Sequence, residues 1–179
     1  MPGHRASLDH PVDPARIISA AAARGWRIAT AESLTGGAVV ARLVDVPGAS
    51  AVVAGGAACY SHEAKSRVLG VDAGMLARTG AVTGEVAVAM AQGALRLYDA
   101  DLVVSTTGVA GPGADERGVA EGTVHLSLAQ RGAEAESREL RLSGGRARIR
   151  ALTVEAALAM LDEALADYAQ AATAYESAL

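Results

Sequence analysis

Short apolar stretches that end in hydroxyl- and glycine-rich loops alternate with segments of helical periodicity along most of this chain, which restricts it to α/β architectures. Asp13 and Pro14 read as an N-cap and a first helical position, opening a helix that stops at Gly25. Residues 26–31, WRIATA, predict a short buried strand, and from Thr35 apolar residues at 39, 40, 43 and 44 repeat at helical spacing until Pro47 and Gly48. Residues 50–60 predict a second strand in which Gly55 and Gly56 signal a bulge or a close backbone approach. Ser61, Asp72 and Thr83 each open a helix, the first two ending at Gly70 and Gly80 and the third running through Tyr98. A third strand, residues 101–108, gives way to a glycine-rich loop, GVAGPGADERGVA. Within 121–130, Val124, Leu126 and Leu128 alternate with Thr123, His125 and Ser127, the period of a half-exposed strand, and 134–142 reads as an edge strand hairpinned to it. Residues 145–168 place apolar side chains from 149 to 165 on one helical face. The expected fold is therefore α/β: a mixed sheet of about five strands with helices on both faces, in a single domain over 13–168. Residues 1–12 read as a loosely ordered lead-in and 169–179 as an Ala-rich tail able to fray.

Composition narrows the function classes. With no Phe and one Trp, the core of this 179-residue chain must be built from small and branched aliphatic groups. A net charge of -4 from interspersed charges argues against a nucleic-acid surface or an anionic-membrane anchor. No apolar run has the length of a membrane span, and the first dozen residues lack a signal-peptide core, so a cytoplasmic location is expected. The lone Cys59 forbids an internal disulfide and a Cys-based zinc cluster, and the four histidines show no metal-ligand spacing.

Lys65 is the only lysine among 16 basic residues. A chain that uses arginine for every other cation has kept, at one place, the cation that can become neutral near pH 7 when buried, which points to proton transfer. The alternative is a solvated surface lysine.

Two strand ends carry special loops, ESLTGG after the first strand and TTGVAGPG after the third. Ligands in open α/β sheets sit outside the carboxyl ends of strands, so the two loops can share one crevice. Ser33 precedes a helix start whose amides, including those of Gly36 and Gly37, suit a phosphate or the oxyanion of a carbonyl under attack. Ser33 is equally readable as a helix cap, and capping is the favoured role for Thr35. Neither loop fits a P-loop or a dinucleotide fingerprint. A third strand-to-helix junction, CYSHEAK, holds Tyr60 and Lys65, and a Ser-Lys pair with a tyrosine hydroxyl can supply a nucleophile and a base without histidine.

The ordered segments TAESLTGG, VPGASAVVAGGAACYSHEAKSRVLGV, GAVTGEVAVAMAQGA, TTGVAGPG, GTV and SGGRARIR resemble the CinA C-terminal domain family, PncC-like nicotinamide-nucleotide amidohydrolases, over roughly residues 13–165. The resemblance implies hydrolysis of nicotinamide mononucleotide to nicotinate mononucleotide and ammonia without metal or cofactor. It makes Ser33 the nucleophile, matches Tyr60 and Lys65 to the tyrosine and lysine of Y-S-N-E-A-K, Thr107 to the hydroxyl residue before G-I-A-G-P, and Arg146 to the arginine of S-G-D-R. Thr107 with the loop of Gly108 and Gly111 would then position the nucleotide and Arg146 its phosphate, with Arg148 and Arg150 as competitors. A homo-oligomer is expected, since related α/β domains often associate. The sequence departs from the family pattern at Leu34, His62 and Gly145, and in VAEGTV, where Val119, Ala120 and Glu121 stand in place of K-P-V. An amidase for another small amide, or a nucleotide-binding module without catalysis, is the alternative reading.

Overall fold

A computed structural model of the chain describes residues 11–176, with side chains through residue 166. Residues 1–10 of the expected lead-in and 177–179 of the expected tail lie outside these bounds. The elements run α1 (Pro14–Arg24), β1 (Ile28–Glu32), α2 (Ala38–Val44), β2 (Val53–Ala58), α3 (His62–Leu69), α4 (Ala73–Thr79), α5 (Gly84–Leu97), β3 (Leu102–Gly108), β4 (Thr123–Gln130), β5 (Glu136–Arg141) and α6 (Gly145–Glu176). The strands form one five-stranded mixed sheet in the order β2-β1-β3-β4-β5, parallel among β2, β1 and β3 and antiparallel from β3 through β5.

Alternation along each strand divides the core. Ile28, Leu102, Val104 and Leu126 face α1, α2 and α6 through Ile17, Leu43 and Leu158. Ala29, Ala31 and Val103 face α3, α4 and α5 through Leu69, Leu76 and Met90. Small residues on that second face suit close helix-to-sheet packing. Helix α5 covers β4 as well, so Ser127 and Thr123 are buried and β4 is not the half-exposed strand its alternation suggests. The Ser127 hydroxyl meets its polar requirement by donating to the Glu136 carbonyl at 2.7 Å.

Asp13, Ser61, Asp72 and Thr83 cap their helices as the sequence predicts, each side-chain oxygen accepting an amide of the first turn. The second helix departs from expectation: it begins at Ala38 rather than Thr35, because Gly36 and Gly37 adopt φ of 65° and 94°, outside the right-handed region. On β2 both sequence readings of the glycine pair hold. The register with β1 shifts by one residue beside Gly55, and a Cβ on Gly56 would lie 2.5 Å from Thr30 Oγ1. Among the described residues no helix is long and apolar enough to cross a membrane, and no group of three or more His, Cys, Asp or Glu could hold a metal ion.

Candidate functional site

Strands β1 and β3 are parallel neighbours in which Glu32 pairs with Thr106. The Ser33 amide extends this ladder by donating to the Thr106 carbonyl at 2.9 Å, which sets Ser33 beside Thr107 at the carboxyl end of the sheet. Strand β2, on the other side of β1, delivers α3 and its first-turn lysine to the same end. Lys65 Nζ lies 2.9 Å from Ser33 Oγ, 2.9 Å from the Cys59 carbonyl and 3.4 Å from the Tyr60 carbonyl. The lysine is 1% exposed and Ser33 7%, which overturns the reading of Lys65 as a solvated surface residue. All three hydrogen-bond partners are neutral, so no carboxylate offsets the loss of hydration. Burial lowers the Lys65 pKa to about 8, against a smaller opposing influence of Cys59.

The amides assigned to an oxyanion are otherwise engaged. Gly37, Val39 and Val40 donate to the Glu32 carboxylate at 2.8–3.0 Å, and Gly36 donates to the Ser33 carbonyl at 3.1 Å. Glu32, 1% exposed, also accepts from Thr30 Oγ1, so the anion at the start of α2 is the protein's own side chain. Thr35 does not cap α2. Its hydroxyl is buried against Thr106 Oγ1 at 2.7 Å, a cross-strand tie that steadies the turn after Ser33. In Glu32→Gln an NH2 group would face amide donors in place of one oxygen, leaving them unpaired in the core. That variant is expected to lose about 3 kcal/mol of stability, read by denaturant unfolding.

Above Ser33 opens a cleft of about 530 Å³. Of the residues singled out from sequence, Ser33, Tyr60, Lys65, Thr107, Gly108, Gly111 and Arg146 all line it, whereas Thr35, Gly36 and Gly37 do not. The Thr107 hydroxyl donates to the Ala81 carbonyl at 2.6 Å and so presents its lone pairs as an acceptor. The Tyr60 ring is 64% exposed, and its hydroxyl accepts from Arg146 Nη2 at 3.0 Å, away from the Ser33–Lys65 contact. Tyr60 thus meets Lys65 through its backbone carbonyl, and the direct 2.9 Å contact leaves no gap for a phenolic relay.

Arg146 also donates to the Gly111 carbonyl at 3.0 Å. The three competing arginines separate here. Arg146 borders the cleft, the Arg148 stem packs over Gly144, and Arg150 is committed to the Leu34 and Thr35 carbonyls at 2.9 and 2.8 Å. Glu121, one of the departures from the family pattern, folds its carboxylate under the glycine loop and accepts from the Gly113 amide at 2.6 Å. Sequence reasoning missed Glu32 and the part played by Arg150. The one available signal for Glu32 was a carboxylate at the end of an apolar strand, directly before a helix start.

The chain is similar to known proteins in both sequence and fold. The chain is 48% identical over 141 residues to a CinA-like protein of Mycolicibacterium vanbaalenii, covering 79% of this chain and 33% of that one. It is 45% identical over 143 residues to a putative competence-damage inducible protein of Geobacillus kaustophilus, covering 80% and 34%. It therefore spans about a third of the length of the curated relatives it matches. The crystal structure of a CinA superfamily protein from Klebsiella pneumoniae superposes with a TM-score of 0.82 at 38% identity, covering 86% of this chain and 96% of that one. The competence/damage inducible protein CihA of Agrobacterium tumefaciens superposes with a TM-score of 0.81 at 38% identity, covering 92% and 97%. The family described as the CinA C-terminal domain matches residues 13–165, from the cap of α1 to the last core leucine of α6, and the chain belongs to that family.

Proposed function

We propose that the chain hydrolyses the carboxamide of nicotinamide mononucleotide, releasing ammonia and nicotinate mononucleotide, with Ser33 as nucleophile and Lys65 as base. The observation that carries this reading is the buried 2.9 Å contact between Lys65 Nζ and Ser33 Oγ, in a lysine whose remaining partners are two carbonyls. A neutral amine has two N–H donors and one lone pair. With the donors on Cys59 and Tyr60, the lone pair is left for the Ser33 hydroxyl proton. Ser33 Oγ then attacks the amide carbon. The oxyanion takes the amide of Leu34, a residue that lines the cleft and whose N–H has no acceptor among the described residues. The Lys65 ammonium returns its proton to the leaving nitrogen, ammonia departs, and a water deprotonated by the same amine cleaves the acyl-serine ester. Water and amide are consumed, acid and ammonia are formed, and Lys65 ends as it began. A phosphate would draw Arg146 from its neutral partners, Gly111 and Tyr60, because hydrogen bonds to a charged acceptor are stronger.

Ammonia release from nicotinamide mononucleotide, with the nicotinate product identified, tests the reading. The kcat/KM should rise with pH through a midpoint near the Lys65 value of about 8, gaining about tenfold from pH 7 to its plateau, as the neutral amine fraction grows. Release that is flat across this range would remove Lys65 as the base, and no release would remove this substrate. The Glu121 carboxylate under the glycine loop favours a second reading, in which the same pair acts on another small amide.

A further inference from the structure

Arg150 reaches from the second turn of α6 to the turn that follows Ser33. Its Nε donates to the Leu34 carbonyl at 2.9 Å and its Nη2 to the Thr35 carbonyl at 2.8 Å. The base of this side chain is rigid. Ile149 is fully buried, and so is Thr153, whose hydroxyl donates to the Ile149 carbonyl at 2.7 Å. The turn it holds has few other ties. The Thr35 carbonyl also accepts from the Ala38 amide at 3.3 Å, but the Leu34 carbonyl accepts only from Arg150 among the described residues.

The backbone is thereby tied on both sides of the Leu34 amide: the Ser33 carbonyl accepts from the Gly36 amide at 3.1 Å, and the Leu34 carbonyl is held by Arg150. The Leu34 N–H directly follows the nucleophile, has no acceptor among the described residues, and belongs to a residue that lines the cleft. We propose that Arg150 is a positioning residue for acyl transfer at Ser33: its guanidinium holds the turn after the nucleophile so that the Leu34 amide serves as an oxyanion donor. The proposal rests on the reading of Ser33 as a nucleophile. It separates two arginines one helical turn apart, with Arg146 on the cleft side governing ligand affinity and Arg150 governing the chemical step. A planar fork with several donors spans two carbonyls, whereas an ammonium is a point donor, so lysine should replace Arg150 only in part.

The test is the rate at which a serine-directed fluorophosphonate labels Ser33 in the full chain, with Ser33→Ala as blank, beside kcat and KM for ammonia release. Labelling needs the same oxyanion donors and no knowledge of the amide. Arg150→Met should slow labelling and lower kcat about 100-fold and Arg150→Lys about tenfold, with KM within about twofold and the pH midpoint unmoved. A folded Arg150→Met protein that labels at the wild-type rate overturns the proposal, as does a loss carried wholly in KM. If the Met variant does not fold, unslowed labelling of Arg150→Lys overturns it. Wild-type protein that labels but releases no ammonia removes the substrate reading alone, and the Arg150 variants are then judged on labelling by the same criterion. An unreactive Ser33 overturns both.

Discussion

Ser33→Ala should release ammonia from nicotinamide mononucleotide at least about 10⁴-fold more slowly than the wild type, because it removes the atom that would form the covalent intermediate. No neighbour can take over. The Thr107 hydroxyl has its proton on the Ala81 carbonyl, and the Tyr60 hydroxyl is held outward by Arg146. The fold should be almost untouched. The Ser33 hydroxyl contacts Lys65 Nζ, which keeps its two carbonyl partners, and the backbone tie from Ser33 to Thr106 does not involve the side chain. The thermal midpoint should therefore stay within about 2 °C of the wild type. A rate within tenfold of the wild type, from a variant confirmed by mass, would strip Ser33 of the nucleophile's role and leave Lys65 to activate a water directly.

What was legible in the sequence was what is local. Caps at Asp13, Ser61, Asp72 and Thr83 act on amides two or three residues away, so residue type and spacing were sufficient. The solitary lysine was legible too, because a residue kept against a strong compositional bias carries information that needs no structure. Thr35 misled for the opposite reason. The cap of α2 comes from Glu32, through a path fixed by two glycines with positive φ. β4 misled likewise: serine and threonine on alternate positions suggest a wet face unless a distant helix, here α5, covers them. The contact between Ser33 and Lys65 joins residues 32 apart and follows from the order β2-β1-β3, which no local pattern specifies. Tyr60 shows a finer limit. Sequence placed it beside Lys65, yet whether the carbonyl or the hydroxyl faces the amine depends on where Arg146 draws the ring. Arg146 and Arg150 share a helical face as their spacing requires, but a rise of about 5.4 Å per turn sends them to different loops.

Lys65→Arg should be almost as damaging as loss of the nucleophile, lowering kcat by about 10³-fold or more although the charge is conserved. A guanidinium stays protonated at any working pH and so has no lone pair for the Ser33 proton. Lys65→Met, which keeps the apolar stem, should lose the same activity and thereby separate the missing base from an ill-fitting one. Stability gives an independent reading of the same chemistry. The unfolded chain keeps the lysine proton up to its ordinary 10.5, whereas the folded chain releases it from about 8. Between those values the unfolded state binds more protons, so folding stability rises with pH, by roughly 3 kcal/mol across the whole window. Below it the folded protein carries a buried ammonium at full penalty. Arginine carries its charge at every pH and methionine carries none, so neither variant should show the rise. Unfolding measured at pH 7 and pH 10 should find the wild type gaining on Lys65→Met by about that amount, with the Tyr98 phenol, which burial raises in both proteins, cancelling in the difference. An Arg variant with near-normal turnover would show that Lys65 acts through its charge. Equal pH slopes for the wild type and the Met variant would show that the amine is not held near neutrality, and the proton would have to leave Ser33 by another route.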